Sequence, residues 1–314
     1  QRLVDLAEGH HLRQRTHGAH LGLEHLARLD AHLQALEVVG RLQRLVGAEG
    51  LEAVVPEGQA LDAAALQLGE QLLTDRAMFT EAYAVIPKGV MRDIVTSHLP
   101  FWDNMRMWVI ARPLTGFAET FSQYIVEVGP NGGSNKPELD ATAEGVIFVV
   151  EGEFSLTLNG TQHAMRPGSY AFIPPQSDWT LRNNSSEAVR FHWLRKAYQP
   201  VEGVPYPEAF VTNEQDIEPI VMPGTEGRWK TTRFVDMADM RHDMHVNIVT
   251  FQPGGVIPFA ETHVMEHGLY VLEGKAVYRL NQDWVEVEAG DFMWLRAFCP
   301  QACYAGGPSR FRYL

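Results

Sequence analysis

The chain has 314 residues and is acidic, with a formal net charge of −13 and a pI of about 5.4. This length accommodates two domains of ordinary size, and the acidic balance argues against nucleic acid or an anionic membrane as a partner. No apolar run approaches the roughly 20 residues needed to span a bilayer, and no secretory signal pattern is visible, so we expect a cytoplasmic protein.

Residues 1–75 differ in composition from the rest of the chain. Positions 1–73 contain no aromatic residue, Lys, Ile or Ser, yet six histidines fall within the first 32 positions. Leucines recur at near-helical spacing, but the apolar stripe wanders and glycines interrupt it. The histidine spacing matches no metal-ligand pattern. We interpret 1–75 as an atypical extension, typical of a disordered tail or of a sequence of non-native origin, without a role in the function.

From residue 76 onward, β-like segments alternate with turn clusters. Thr120–Val128 and Val146–Glu151 are rich in β-branched and aromatic residues, and Gly129–Gly133 and Arg166–Gly168 are typical turns. Strands at intervals of eight to twelve residues predict an all-β fold.

The two halves of this region repeat one another. Gly133, Glu151-Gly152 and Gly168 recur as Gly255, Glu273-Gly274 and Gly290, all 122 positions later. A Pro/Gly-rich connector separates the copies. The sequence therefore predicts two tandem β-barrels: an N-terminal barrel over 76–200, a linker over 201–227 and a C-terminal barrel over 228–314.

The chemistry is concentrated in Glu261-Thr-His263-Val-Met-Glu-His267. Positions i, i+2 and i+6 have the same parity, so on β-strands the three side chains point to one side of the sheet. A carboxylate and two imidazoles gathered in an otherwise apolar segment predict a metal site.

This pattern resembles the first motif of the cupin superfamily, with the ligand order permuted. The second motif follows as Gly290 and, after a short strand, Gln301, where cupins usually have His. A mixed nitrogen and oxygen donor set suits Mn²⁺ or Fe²⁺ better than structural zinc. We expect Glu261, the single anionic ligand, and Gln301, a neutral amide that leaves the metal more Lewis-acidic, to act in catalysis as well as in binding.

The first barrel lacks these ligands. The 122-residue offset places Glu261, His263, His267 and Gln301 on Leu139, Ala141, Gly145 and Trp179. None of these can bind a metal through its side chain, so we expect one metal site per chain. Glu144 and His163 lie nearby out of ligand register and are expected to be solvated. Cys299 and Cys303 are interpreted as buried strand thiols in a reducing compartment.

Residues 76–314 resemble the (S)-ureidoglycine aminohydrolase family, bicupin enzymes of allantoin degradation. The resemblance rests on Gln123–Gly133, Arg195–Gly203, Glu261–Gly268 and Gly274–Asn281. It implies a Mn²⁺ site at Glu261, His263, His267 and Gln301, with Tyr278 and Tyr313 in the substrate pocket. The family also carries a lysine after its last tyrosine. The sequence ends at Leu314, so that substrate-binding group is unassigned.

The resemblance implies an enzyme that releases ammonia from the small anionic ureido substrate (S)-ureidoglycine and forms (S)-ureidoglycolate. We expect a homo-oligomer. Two alternatives stay open: another metal-dependent cupin, such as an Fe²⁺ dioxygenase or a Mn²⁺ decarboxylase, and a non-catalytic bicupin that binds a small molecule. The lack of a basic patch argues against a nucleic-acid-binding regulator.

Overall fold

A computed structural model describes residues 76–88, 96–113 and 118–314. The predicted extension over 1–75 lies outside the described residues. The regular secondary structure of the described part is nearly all strand, which confirms the all-β prediction, and includes a short 3₁₀ helix at Glu214–Asp216. The strands are β1 Met78–Phe79, β2 Tyr83–Ile86, β3 Thr96–Ser97, β4 Trp102–Ala111, β5 Phe121–Ser134, β6 Ala143–Glu151, β7 Phe154–Leu158, β8 Thr161–Met165, β9 Ser169–Ile173, β10 Trp179–Arg182, β11 Val189–Ala197, β12 Phe210–Asn213, β13 Ile220–Val221, β14 Trp229–Arg233, β15 Asn247–Phe251, β16 Val256–Glu261, β17 His267–Glu273, β18 Lys275–Leu280, β19 Asp283–Glu288, β20 Phe292–Leu295, β21 Gln301–Tyr304 and β22 Phe311–Tyr313.

The N-terminal barrel is one antiparallel ten-stranded sheet, with the order β12-β9-β6-β11-β5-β10-β7-β8, in which β4 joins β5 and β3 joins β4. Inward-facing residues of β6 alternate with outward-facing ones, as the two-residue period of a strand requires. The interior is filled by large side chains: Trp179 packs edge to face on Trp193, and Phe191 packs at a tilt on Phe154.

The C-terminal barrel is built from two sheets. One has the order β1-β2-β20-β17-β22-β15-β14-β13, and the other has the order β16-β21-β18-β19. Their inner faces enclose a core that includes Phe251, Phe311, Tyr278 and Tyr313. The two tyrosines are the polar members of this aromatic group, so the barrel interior contains hydroxyl groups.

Backbone conformation repeats between the barrels. Gly152 and Gly274 have φ of 77° and 81°, and Gly168 and Gly290 have φ of 82° and 96°. These left-handed conformations lie at turns between successive strands that pair with other strands, and glycine adopts them without a steric penalty. The 122-residue repeat is therefore present in the backbone conformation of these turns.

Strand pairing crosses the predicted domain boundaries. Strands β1 and β2, assigned by sequence to the first barrel, join the second: Tyr83 pairs with Leu295. Within the predicted linker, β12 pairs with β9 of the first barrel and β13 with β14 of the second. The exchange allows a short strand to cover an edge of the sheet that it joins.

Two apolar clusters hold the barrels together. One combines the outer face of β4 and β5, including Trp108, with Ile86, Phe292 and Trp294 of the second barrel. The other packs the outer face of β6 and β9 against Phe234 and its neighbours, where the ring of Tyr170 stacks on Phe234 at 4.1 Å. The described part of the second barrel therefore lies directly against the first.

Candidate metal centre and substrate pocket

The three predicted ligands of the first motif lie around a chain reversal, not on one strand face. Glu261 ends β16, His267 begins β17, and His263 lies in the connection between them. The parity argument was therefore wrong in its mechanism, because β16 ends before His263. The side chains come together because antiparallel strands return to the same end of the barrel.

The proposed ligands are neighbours in pairs. His263 Nε2 lies 3.5 Å from Glu261 Oε1, and the centroids of the two imidazole rings, His263 and His267, are 4.9 Å apart. Gln301 begins β21, and its Cα is the cross-strand partner of Glu261. Across the described ranges, no three His, Cys, Asp or Glu side chains are already gathered in a ligand cluster. The four predicted ligands thus stand adjacent, in pairs, at one end of the barrel.

Gln301 fits the role of an amide ligand. Its side chain is buried, and its Oε1 accepts no hydrogen bond from any described residue. A buried carbonyl oxygen without a partner is costly, and a cation is one group that satisfies it. One carboxylate, two imidazoles and this amide oxygen form a mixed donor set that suits Mn²⁺ or Fe²⁺.

Burial keeps the His267 imidazole neutral. Desolvation, and then the neighbouring His263, lowers the pKa of His267 to about 4. At neutral pH the ring therefore has a free lone pair, as a metal ligand requires.

Tyr278 and Tyr313 lie in the interior beside this group. The Tyr278 hydroxyl donates to the Tyr313 hydroxyl at 2.9 Å. Burial raises the pKa of both phenols above the usual value, and the charge of Glu261 adds to the rise. Both therefore stay protonated at physiological pH, and the Tyr313 O–H is left to donate to a further acceptor.

The loop before Gln301 is tied to the loop that carries His263. The Phe298 N–H donates to the His263 carbonyl at 2.6 Å, and Phe298 adopts a left-handed φ of 65°. Cys299 and Cys303 are buried free thiols, as predicted, although Cys299 lies in the turn before β21. Burial raises the pKa of the Cys303 thiol, so it stays protonated and is a poor ligand.

In the first barrel the equivalent positions line a cavity. Leu139, Ala141, Gly145 and Trp179 all border one space of about 170 Å³. A Cβ built on Gly145 would lie 3.2 Å from Trp193 Nε1, so the indole of Trp193 approaches where a ligand side chain would begin. The residues at these four positions cannot bind a metal through their side chains, although Glu138, Asp140 and Glu144 also line the cavity.

Glu144 is not solvated, contrary to the prediction. It is 1% exposed, and neither carboxylate oxygen has a hydrogen-bond partner among the described residues. Burial, and then the charge of Asp243, raises its pKa to about 8. This burial could not be predicted from local pattern, because Glu144 lies next to turn residues and its interface is formed by the other half of the chain. His163 is half-exposed, in line with the prediction for that residue.

The cupin domain family matches residues 124–195 and 247–314. The (S)-ureidoglycine aminohydrolase of Arabidopsis thaliana is 30% identical over 70% of this chain and 71% of its own length. The enzyme of that name from Escherichia coli strain K12 is 29% identical over 76% of this chain and 88% of its own. A crystal structure of a glyoxylate induced protein from Pseudomonas aeruginosa is 83% identical, covers 77% of this chain and 90% of that one, and gives a TM-score of 0.74. The described residues contain no helix long and apolar enough to cross a membrane.

Proposed function

We propose that this chain, which belongs to the (S)-ureidoglycine aminohydrolase family, hydrolyses (S)-ureidoglycine to (S)-ureidoglycolate and ammonia in purine and allantoin degradation. The observation that carries the proposal is the grouping of the proposed ligands with two protonated tyrosines at one end of the second barrel. The reaction replaces a carbon–nitrogen bond by a carbon–oxygen bond at one carbon of a small anion. It therefore requires a pocket that fixes the anion and directs water to one face.

Glu261, His263, His267 and Gln301 would hold the metal, for which we propose Mn²⁺. When bound, the ion supplies positive charge and Lewis acidity next to the anionic substrate. With Glu261 as the single anionic ligand, the site keeps a net charge near +1, which matches a substrate monoanion. The buried, unpartnered Gln301 Oε1 supports the assignment.

The chain's own hydrogen-bond donors orient the substrate. The Tyr278 hydroxyl donates to the Tyr313 hydroxyl. The O–H of Tyr313 is then left to donate to a substrate acceptor, such as the carboxylate or the ureido oxygen. Because both phenols keep their protons, they act as hydrogen-bond donors and not as bases.

Two orders of events satisfy the atom balance. Water displaces the amine directly, or ammonia leaves first and water adds to the resulting imine. In direct displacement, the amine nitrogen departs as ammonia with one proton from water, whose hydroxyl stays on the carbon. In the imine route, ammonia takes that proton from the ureido N–H, and water then returns a proton to this nitrogen as its hydroxyl adds to the carbon. We further propose that the enzyme acts in the cytoplasm. We also propose that it is a homo-oligomer, and light scattering after size exclusion tests its oligomeric state.

The test is ammonia release from freshly generated ureidoglycine by the full chain loaded with Mn²⁺, with ureidoglycolate followed as the product. The matched control is the His263→Ala/His267→Ala double variant, which keeps the barrel but lacks both imidazoles. Formation of ureidoglycolate by the parent and not by the control supports the proposal. Metal binding with a different product would indicate another metal-dependent cupin enzyme, and substrate binding without any product would indicate a non-catalytic bicupin.

A further inference from the structure

Glu266 lies beside the proposed ligand His267, and its carboxylate reaches across to the first barrel. Oε1 accepts from the Glu119 N–H at 2.6 Å and from Trp294 Nε1–H at 2.5 Å. Oε2 accepts from the Thr120 N–H at 2.9 Å and from the Thr120 hydroxyl at 2.7 Å. Three of the four donors belong to the loop before β5, on the other barrel. A carboxylate that accepts four bonds is fixed at both oxygens, which restricts the backbone that carries it.

The same stretch is held by further contacts. Arg296, directly after β20, makes an ion pair of 2.7 Å with Glu119 of that loop. The strand that follows Glu266 also lies against the first barrel, because a Cβ built on Gly268 would lie 2.8 Å from the ring of Phe121. The connection that carries His263 and ends at His267 is therefore positioned by groups of the first barrel.

The internal repeat provides a natural comparison. The residue 122 positions before Glu266 is Glu144, next to Gly145 instead of His267. Glu144 is buried, yet both of its oxygens lack partners among the described residues. The donors differ accordingly: Phe172 stands where the second barrel has Trp294, and its side chain has no N–H that could replace the indole N–H. In the barrel with the proposed ligands, both carboxylate oxygens of Glu266 accept hydrogen bonds. In the barrel without them, neither oxygen of Glu144 does so among the described residues.

We propose that Glu266 is a positioning residue, through which the first barrel holds His263 and His267 in place for the metal. This inference rests on the proposed metal site. It gives the first barrel, which has no ligands of its own, a role in the chemistry of the second. Groups that orient metal ligands typically change metal affinity by about 10- to 100-fold when they are removed.

The experiment is titration of the metal-free full chain with Mn²⁺, following the free ion by its paramagnetic resonance signal. Glu266→Gln keeps the size of the side chain but removes its charge and half of its acceptor capacity. We expect its Mn²⁺ dissociation constant to rise about 10- to 100-fold. Glu144→Gln is the matched control at the equivalent position, and its dissociation constant should stay within about twofold of the parent, as expected for a site remote from the ligands.

Thr120→Val provides a second, milder variant on the opposite barrel. It removes one of the four donors and touches no ligand, so a rise of a few-fold in the dissociation constant is expected. The melting temperature of each metal-free variant shows whether the fold is intact. If Glu266→Gln is unfolded, the Mn²⁺ dissociation constant of Thr120→Val tests the role of Glu266 instead. Unchanged Mn²⁺ affinity in the folded variants would overturn the role of Glu266 while leaving the metal site in place. If the parent protein does not bind Mn²⁺, whether or not the preparation releases ammonia, both the role of Glu266 and the proposed Mn²⁺ site are overturned.

Discussion

The two barrels share one backbone plan and differ in what they can bind. Both have left-handed glycines at the same turns, Gly152 and Gly274 among them. Yet the second barrel presents Glu261 and Gln301 where the first has Leu139 and Trp179. Scaffold and chemistry are thus separable: four side chains distinguish a candidate metal site from the cavity at the equivalent place in the first barrel, while the strands around them keep their order. The predictions below test that separation, from the largest expected effect to the smallest.

Removing the carboxylate should abolish metal binding. Glu261→Ala deletes the single anionic ligand, so elemental analysis should show metal content falling from about one ion per chain to near zero. Leu139→Ala, at the equivalent position of the first barrel, should leave the content unchanged. Two ions per parent chain, or metal retained in Glu261→Ala, would contradict the assignment of one site to the second barrel.

Replacing the amide by imidazole should separate metal binding from catalysis. Gln301→His offers a stronger donor, so the metal should be retained while charge donation and ligand geometry change around the substrate. We expect ammonia release to fall at least about tenfold at full metal occupancy. Metal content and rate are measured on the same preparation, and an unchanged rate would show that Gln301 is not tuned for the reaction.

Tyr313 offers a test of substrate binding, because the first barrel has Phe191 at the same place. Tyr313→Phe removes the donor proposed for a charged substrate group, which should lower kcat/KM about 10- to 100-fold. Tyr278→Phe removes only the donor to Tyr313 and should lower it less. Steady-state kinetics of the two variants give the comparison, and equal effects would argue against a direct contact of Tyr313 with substrate.

Glu144 should make the protein less stable as pH rises. The pKa is raised to about 8, above the usual value of 4.5, so between these values the unfolded chain is ionised while the folded one keeps the proton. Stability contributed by this group therefore falls by about 1.4 kcal/mol per pH unit across that window. Glu144→Gln should remove that slope, as urea unfolding at pH 5, 6, 7 and 8 would show. Parallel pH profiles for parent and variant would contradict the buried, protonated state.

The part of the fold that could be predicted is the part with local signals. Turn glycines such as Gly168 and Gly290 appear in the sequence, because few other residues adopt their φ cheaply. Repetition at a fixed offset then revealed two barrels. The ligand motif was visible for a similar reason, because Glu261, His263 and His267 lie within seven positions.

The remaining features depend on contacts between distant segments. Nothing near Glu266 indicates that its partner is Thr120, which lies 146 positions earlier. The burial of Glu144 likewise depends on the half of the chain that follows it. Side-chain pattern gives the face of a strand but not the neighbour that covers that face, and both of these features lie at the contact between the barrels.

The placement of β2 in the second barrel has a consequence for biosynthesis. Tyr83 pairs with Leu295, so this strand emerges from the ribosome roughly 200 residues before its partner exists. At about 5–20 residues per second, the segment waits for some tens of seconds with its ladder groups unpaired. Such long-range pairing also makes folding slow, since the loop between the partners must close first. Chains stalled before residue 292 should therefore be cleaved by protease near Tyr83, and released chains should be protected; protection already in the stalled chains would show that another surface covers the strand meanwhile.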